Sequence, residues 1–340
     1  PEYKEMLLRV TERLKDVFGT AGDVFVLTAS GTGAMEAAVV NTLSPGDKVL
    51  CASVGSFGDR FGEIAAIFGA DVTMLTSPQG SSVNVDELRK ALKANSSYKA
   101  VLVTHNETST GVANDLESIA GVVKGEFDKL LLVDGISSVC SLPLRADDWG
   151  CDVVATASQK GWMLPPGLAF ISFSDRAWKA HAESTMPRFY FDLAQYKKYL
   201  EIGQPPYTPA VSVMFALDRA LQQIADEGID ALYERHKYIG NFTREGLKAL
   251  GLEIVPDEAA ASNTVTAVWM PAGVDSAALI AALQSEHGIV VAGGQESLKG
   301  KIIRIGHMGR TTTDEIQNVL DALAATLPQL GFVPAGAAVG

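Results

Sequence analysis

The sequence predicts an α/β protein: a large domain whose mostly parallel sheet is flanked by helices, followed by a smaller C-terminal α+β domain. Three observations carry this. Through the first half, short apolar runs alternate with amphipathic stretches, the pattern of strands that cross over to helices covering a parallel sheet. Ala100 to Thr104 and Leu130 to Val133 are β-branched or leucine-rich throughout, as strands covered on both faces are. After Pro209 the texture changes to two long helical stretches, and strand patterns return only near Thr264. For 340 residues about two domains is the natural division. The boundaries expected are 1–240 for the large domain with its linking helices, 241–333 for the small domain and 334–340 for a tail.

The elements follow in order. Val24 to Thr28 reads as a strand, then Ala29-Ser30-Gly31-Thr32-Gly33 leads into a helix from Ala34 to about Leu43. Ser44-Pro45-Gly46-Asp47 is a turn before the strand Lys48 to Ala52. A helix from Phe61 to Phe68, a strand from Val72 to Leu75 and a helix from Val85 to Lys93 come next, the last opened by Asn84 or Asp86 as its cap. Val153 to Ala157 and Ala169 to Phe173 read as strands, and the prolines in Gly161 to Gly167 exclude a regular element between them. Helices are expected over Val211 to Glu227 and Ile229 to about Leu250. Then come strand Thr264 to Met270, helix Ser276 to His287, strands Ile289 to Ala292 and Lys301 to Ile305, and helix Asp314 to Leu327. Thr312 and Glu315 are spaced as a capping box for that last helix.

A net charge of −12 and the lack of any basic cluster argue against nucleic acid or an anionic membrane as partner. Apolar runs are far shorter than a membrane span. The three cysteines, Cys51, Cys140 and Cys151, have no metal-ligand spacing and suit a reduced compartment. No signal-peptide pattern is read and the last residues are Ala337-Ala338-Val339-Gly340, so the expected location is cytoplasmic.

Three features carry chemistry. Asp134 directly follows an apolar strand, at the carboxyl end where open α/β sheets place their ligands. On its own it reads equally well as a cap for the next segment. Lys160 closes the run Ala155 to Gln159 ahead of a Gly/Pro-rich loop. On its own it reads as a lysine reaching to solvent, but in an apolar pocket its pKa would fall, which a Schiff-base nucleophile requires. The chain between the two is long enough for a crossover, so both can sit at one sheet edge. Small residues in Ser30-Gly31-Thr32-Gly33-Ala34 let the first helical amides approach a phosphate. No Gly-Lys-Ser/Thr follows, so this is not a Walker loop. Cys51-Ala52-Ser53 stands where a dinucleotide fold would place an acidic residue.

A phosphate cradle, a carboxylate for a ring nitrogen and a lysine for a Schiff base together suit one cofactor, pyridoxal 5'-phosphate (PLP). The chain resembles the class V, fold type I PLP aminotransferases, specifically the alanine–glyoxylate / serine–pyruvate family. The resemblance rests on Ser30 to Gly33, Ser44 to Asp47, Thr104-His105-Asn106-Glu107-Thr108-Ser109-Thr110-Gly111, Leu132-Val133-Asp134, Ser158-Gln159-Lys160 with Pro165-Pro166-Gly167, and Arg304-Ile305-Gly306. These run in family order through nearly the whole chain.

The resemblance implies a role for each matching residue. Thr32, Gly33, Ala34 and Gln159 bind the cofactor phosphate, Phe57 stacks on its ring, and Thr108 lies beside its phenolic oxygen. Asp134 bonds the ring nitrogen, Lys160 forms the Schiff base and shuttles the proton, and Arg304 clamps the substrate carboxylate. Without the resemblance Arg304 reads as a surface residue. Tyr207 and Thr208 match a segment given to a neighbouring subunit's phosphate site, which implies a homodimer with shared active sites. The implied reaction is ping-pong transfer between a small amino acid, alanine or serine, and a small 2-oxo acid, glyoxylate or pyruvate. Family members also carry a Gly- and Pro-rich segment lining the substrate pocket, which the resemblance places ahead of Pro1. His105 and His307 are left out of the catalytic set, His105 because it follows a buried strand. A lyase or desulfurase of the same fold is the first rival, and the three cysteines, in or beside strands or after Ser137-Ser138-Val139, lack the mobile-loop setting a desulfurase needs. A catalytically idle partner subunit is the second, against which Lys160, Asp134 and Arg304 all stand intact.

Overall fold

The computed structural model describes residues 2–332. Seven strands form the central sheet: β1 (Asp23–Leu27), β2 (Lys48–Ser53), β3 (Asp71–Thr76), β4 (Ala100–Thr104), and, after the short β5 (Asn106–Glu107) and β6 (Val112–Ala113) pair, β7 (Leu130–Asp134), β8 (Val153–Ala157) and β9 (Ala169–Phe173). The order across the sheet is β1-β9-β8-β7-β4-β2-β3. The run from β3 to β8 is parallel, and β9 alone runs against both of its neighbours. Three further strands, β10 (Val265–Trp269), β11 (Ala292–Gly293) and β12 (Ile302–Gly306), make a separate antiparallel sheet in the order β10-β12-β11.

The central strands are apolar throughout because helices cover both faces, and alternate residues serve opposite cores. Leu50, Ala52, Val101, Val103, Leu131 and Val133 pack in one core, against α1 (Glu2–Phe18), α4 (Val85–Ala94), α5 (Leu116–Ala120) and α9 (Val211–Glu227). Val49, Cys51, Ala100, Leu102, Leu130 and Leu132 pack in the other, against α2 (Gly31–Thr42), α3 (Ser56–Ile67), α7 (Asp175–Glu183) and α8 (Leu193–Glu201). The remaining helix before β8 is the short α6 (Ala146–Trp149). A third core joins α10 (Ile229–Ala249), α11 (Ser276–His287) and α12 (Thr313–Thr326) to β10 and β12. No helix among the described residues is long and apolar enough to cross a membrane.

Most expected elements lie within a residue or two of their observed bounds. The cap of α4 is Asn84, whose side chain accepts from the Asp86 and Glu87 amides. The capping box at α12 is present in both directions. Three differences bear on the site or its surroundings. The helix expected from Ala34 begins at Gly31, so the glycine-rich stretch is the helix's own first turn. The helix expected from Phe61 begins at Ser56, which puts Phe57 in its first turn. The strand expected over Ile289 to Ala292 is only Ala292–Gly293: the chain leaves the left-handed Gly288 cap and reaches its partner β12 just at these two residues. Also, α10 runs unbroken across residue 240, and the tail 334–340 lies outside the described residues.

Candidate active site

The parallel strands deliver their carboxyl ends to one edge, and Asp134, the last residue of β7, and Lys160, which follows β8, stand there. Asp134 ends β7 and is almost wholly buried. Its Oδ1 accepts from the Ile136 amide at 2.9 Å and its Oδ2 from the Thr104 hydroxyl at 3.2 Å. Burial pushes the carboxyl up to about 7; the Ile136 bond pulls it down, and the charge of Glu107 adds to the rise. Lys160 acts on it only through space. A cation bonded at this carboxylate would relieve the cost of burying its charge, and a protonated ring nitrogen is such a cation.

Lys160 stands at the start of the loop after β8, partly buried. Burial lowers its pKa, and the nearby Arg304 charge lowers it further. An amine held toward its neutral form is a nucleophile and a proton carrier. The loop is locked against the turn after β7: a Cβ on Gly161 would stand 2.6 Å from the Val139 carbonyl oxygen and 2.5 Å from Ser141 Oγ.

The first turn of α2 faces this edge. Ser30 is its N-cap, but no side chain caps the helix, so the amides of Thr32 and Gly33 stay open to an anion. The Ala34 amide is instead taken by the Ser30 carbonyl at 3.3 Å, so only its position in the turn, not its N–H, is free to serve a phosphate. Gly31 sets how closely the turn packs on the Asp134 loop, since a Cβ there would stand 2.6 Å from Ile136 Cδ1. Gln159 is exposed beside Lys160.

Phe57 is half-buried at the start of α3, with Arg60 lying over its ring at 4.9 Å. Thr108 donates to Ser137 Oγ at 2.9 Å, and its carbonyl accepts from Arg304 Nη1 at 3.0 Å. Arg304, on β12, is no surface residue: it is 9% exposed, and its Nε also donates to the Gly293 carbonyl at 2.9 Å. The rest of its fork is uncommitted among the described residues. Arg304 therefore reaches from the small sheet onto the loop that carries Thr108.

Tyr207 and Thr208 do not join this group within the chain. Tyr207 stacks on Tyr190, with ring centroids 4.8 Å apart, and donates to the Phe189 carbonyl at 2.9 Å; Thr208 is exposed. His105 and His307 are buried, and burial pushes their imidazoles down to about 4 and about 3, so both are neutral fixtures of the interior. Cys51, Cys140 and Cys151 are likewise buried, the thiols of Cys51 and Cys151 pushed up to about 12, so none is a ready nucleophile.

Sequence reasoning missed Glu107 as a residue of this site. It is fully buried and accepts hydrogen bonds from Phe57, Gly58 and Ser109. Ser137 was missed too; it holds Thr108 and donates to the Asn106 carbonyl at 2.8 Å. The signal available was a cluster of polar residues, His105 to Thr110, just past a buried strand.

Residues 2–319 match the family model of class V aminotransferases. A Synechococcus protein named the small subunit of a soluble hydrogenase is 41% identical over 333 residues, 97% of this chain and 86% of that one. The serine–glyoxylate aminotransferase of Methylorubrum extorquens is 38% identical over 318 residues, 91% of this chain and 79% of that one. Among solved structures, alanine–glyoxylate aminotransferase from Nostoc sp. superposes with a TM-score of 0.92 at 32% identity, covering 96% of this chain and 88% of that one. Fold and family define a PLP-dependent transferase of fold type I. Within that class, the chain belongs to the class V aminotransferases, enzymes that move an amino group between an amino acid and a 2-oxo acid.

Proposed function

We propose that this enzyme carries the amino group of alanine or serine to glyoxylate or pyruvate in a ping-pong cycle, with Lys160 as the residue that binds PLP covalently. The observation that supports it is that Lys160, at the carboxyl-end edge of the central sheet, lies within reach of the charges of both Asp134 on β7 and Arg304 on β12. The choice of substrates follows relatives named serine–glyoxylate and alanine–glyoxylate aminotransferase. Bound PLP supplies an electron sink for a carbanion at the substrate α-carbon. Asp134 keeps a proton on the ring nitrogen. Lys160 Nζ, freed when substrate binds, would be the group that takes and carries the proton of the substrate α-carbon. The open amides of Thr32 and Gly33, with Gln159, would hold the phosphate, Phe57 would stack on the ring, and Thr108 would stand by the phenolic oxygen.

Two further readings accompany this one. The chain works as a homodimer in the cytoplasm, with Tyr207 and Thr208 completing the partner's phosphate site. Support comes from the exposed Phe189, Tyr190, Val211 and Phe215 that flank this segment in sequence, which suit a covered surface better than water. The large domain spans residues 1–240 and the small domain 241–333, a reading supported by α10 bridging the two cores: its Leu232 packs in the first, and its Ile239 and Leu247 pack in the third. The experiment is direct: the purified protein should show a visible absorbance band that L-alanine or L-serine bleaches and glyoxylate or pyruvate restores. A PLP-loaded protein whose band none of these alters contradicts the substrate reading.

Arg304→Lys keeps the charge but loses the planar fork. Losing one charged hydrogen bond is worth roughly 1.5–3 kcal/mol, so kcat/KM should fall about ten- to a hundredfold. PLP affinity and the visible band should stay nearly unchanged. Titration of PLP beside steady-state kinetics checks this; loss of PLP with intact substrate affinity would contradict the role.

A further inference from the structure

Helix α3 lacks a cap of its own. Its N-cap is Gly55, and no local side chain accepts from its first turn. A helix start without acceptors costs stability when its amides are withdrawn from water. Here the acceptors come from a distant part of the chain. The Ser56 amide donates to Ser109 Oγ at 3.1 Å, and the Phe57 and Gly58 amides both donate to Glu107 Oε2 at 3.1 Å. The other carboxylate oxygen, Oε1, accepts from the Ser109 amide at 3.0 Å and from the Ser109 hydroxyl at 2.6 Å. Four donors thus converge on one buried carboxylate, and three successive amides of α3 are satisfied by Glu107 and Ser109.

We infer that Glu107 is a positioning residue for the cofactor, fixing the two walls of its cleft at once: the first turn of α3, which presents Phe57, and the Thr108–Ser109 turn, which receives Arg304. This rests on the stacking of Phe57 on the PLP ring proposed above. Three of the four partners are backbone amides, which can only donate, so the bonding pattern favours the ionised form. The positive end of the α3 dipole favours the same charge. Burial works against it and is the strongest influence, holding the carboxyl above its ordinary range although the four bonds pull it down. The close approach also explains Gly55. A Cβ there would stand 2.5 Å from Ser109 Oγ and 2.7 Å from Glu107 Cγ, so any other residue would push the carboxylate off the helix.

One wall follows directly: Phe57 is the second residue of α3, and its own amide is gripped. The other wall follows through the chain. Ser109 is held by its amide and hydroxyl, and the preceding residue, Thr108, offers its carbonyl to Arg304 Nη1 at 3.0 Å. The Glu107 charge also acts through space on Asp134 and Arg304, raising the pKa of both. Ring, ring-nitrogen partner and carboxylate clamp therefore share one anchor that touches none of the reacting atoms.

Glu107→Gln keeps the size and replaces one acceptor oxygen by a donor, which must then face either the two α3 amides or Ser109. In the unloaded protein, hydrogen exchange should quicken in peptides covering residues 55–60 while peptides from β4 and β7 keep their protection. PLP should bind roughly ten- to thirtyfold more weakly, and the visible circular dichroism of the bound form should shrink as the ring loses its fixed stacking partner. Because one of the two walls Glu107 fixes is Phe57, the loss in PLP affinity should be smaller in a Phe57→Ala background, the remainder being carried by the Thr108–Ser109 turn. Ser109→Ala, a milder change that leaves the grip of Oε2 intact, should shift exchange and affinity in the same direction by a few-fold, and it carries the test if Glu107→Gln does not fold. Native exchange, dichroism and PLP affinity in the folded variants would overturn the inference, as would a Glu107→Gln effect on affinity that is undiminished by Phe57→Ala. Phe57→Ala with unchanged PLP binding would instead sink the stacking reading on which the inference stands.

Discussion

Lys160→Ala is expected to leave a folded protein that binds PLP without a covalent bond and turns over at least about 10²–10⁴-fold more slowly. That range is what a positioned general base contributes by itself, and loss of the covalent tether adds to it. The expectation follows from the placement of Nζ. It is drawn toward neutrality by burial and by Arg304, and Asp134 reaches it only through charge, without a hydrogen bond. Among the described residues, no hydrogen bond or ion pair that would have to be broken first holds the amine back. The loss should appear in kcat, since the phosphate cradle and Arg304 are untouched. Added small amines should restore part of the rate by carrying the same proton. A Lys160→Ala enzyme with near-native turnover would assign the proton transfer to another group.

Asp134→Asn is the second large effect. It keeps the hydrogen-bonding shape but cannot hold a proton on the ring nitrogen by charge, so kcat should fall by about 10²–10³, the usual cost of removing one preorganised electrostatic partner. Some PLP should still bind through the α2 amides. The same substitution has a second signature in the unloaded protein. The Asp134 carboxyl rises from an ordinary 3.8 to about 7 because it is buried, so the folded state holds this proton more tightly than the unfolded state. Its contribution to stability is full below about 4 and is lost as pH rises through about 7. The total is on the order of 4 kcal/mol. Asn at this position has nothing to titrate. Urea unfolding of unloaded wild type and Asp134→Asn should therefore diverge between pH 4 and 8, with wild type losing stability relative to the variant as pH rises. Parallel curves would show that Asp134 is already ionised before PLP arrives.

The parts of the site that were legible in the sequence are those that end buried strands. Asp134 and the approach to Lys160 follow apolar runs whose alternation feeds two cores, so their strand ends could be read directly. The start of α2 was less legible, because Gly31-Thr32-Gly33 carries no capping side chain that would mark where the helix begins. The start of α3 was misplaced for the same reason: its acceptors are Glu107 and Ser109, some fifty positions later, and no local pattern encodes them. Glu107 itself sits in a two-residue strand, too short for any periodicity. Arg304 reads as a surface arginine because its burial depends on Gly293 and Thr108, one on the neighbouring strand and one in the large sheet's loops. Helix α1 was not read at all, although Met6, Val10, Leu14 and Val17 bury one helical face. Tyr207 and Thr208 were placed by resemblance alone, and within one chain they find aromatic neighbours rather than the cofactor edge.

The central claim is that Lys160 is the residue bonded to PLP, and chemical trapping tests it most directly. The PLP-loaded protein is reduced with borohydride, digested, and the peptide carrying the pyridoxyl mass is sequenced. The account predicts one labelled site, Lys160, in the peptide that contains Ser158-Gln159, with no label in protein stripped of PLP beforehand. A label on another lysine, or none on fully loaded protein, would contradict it.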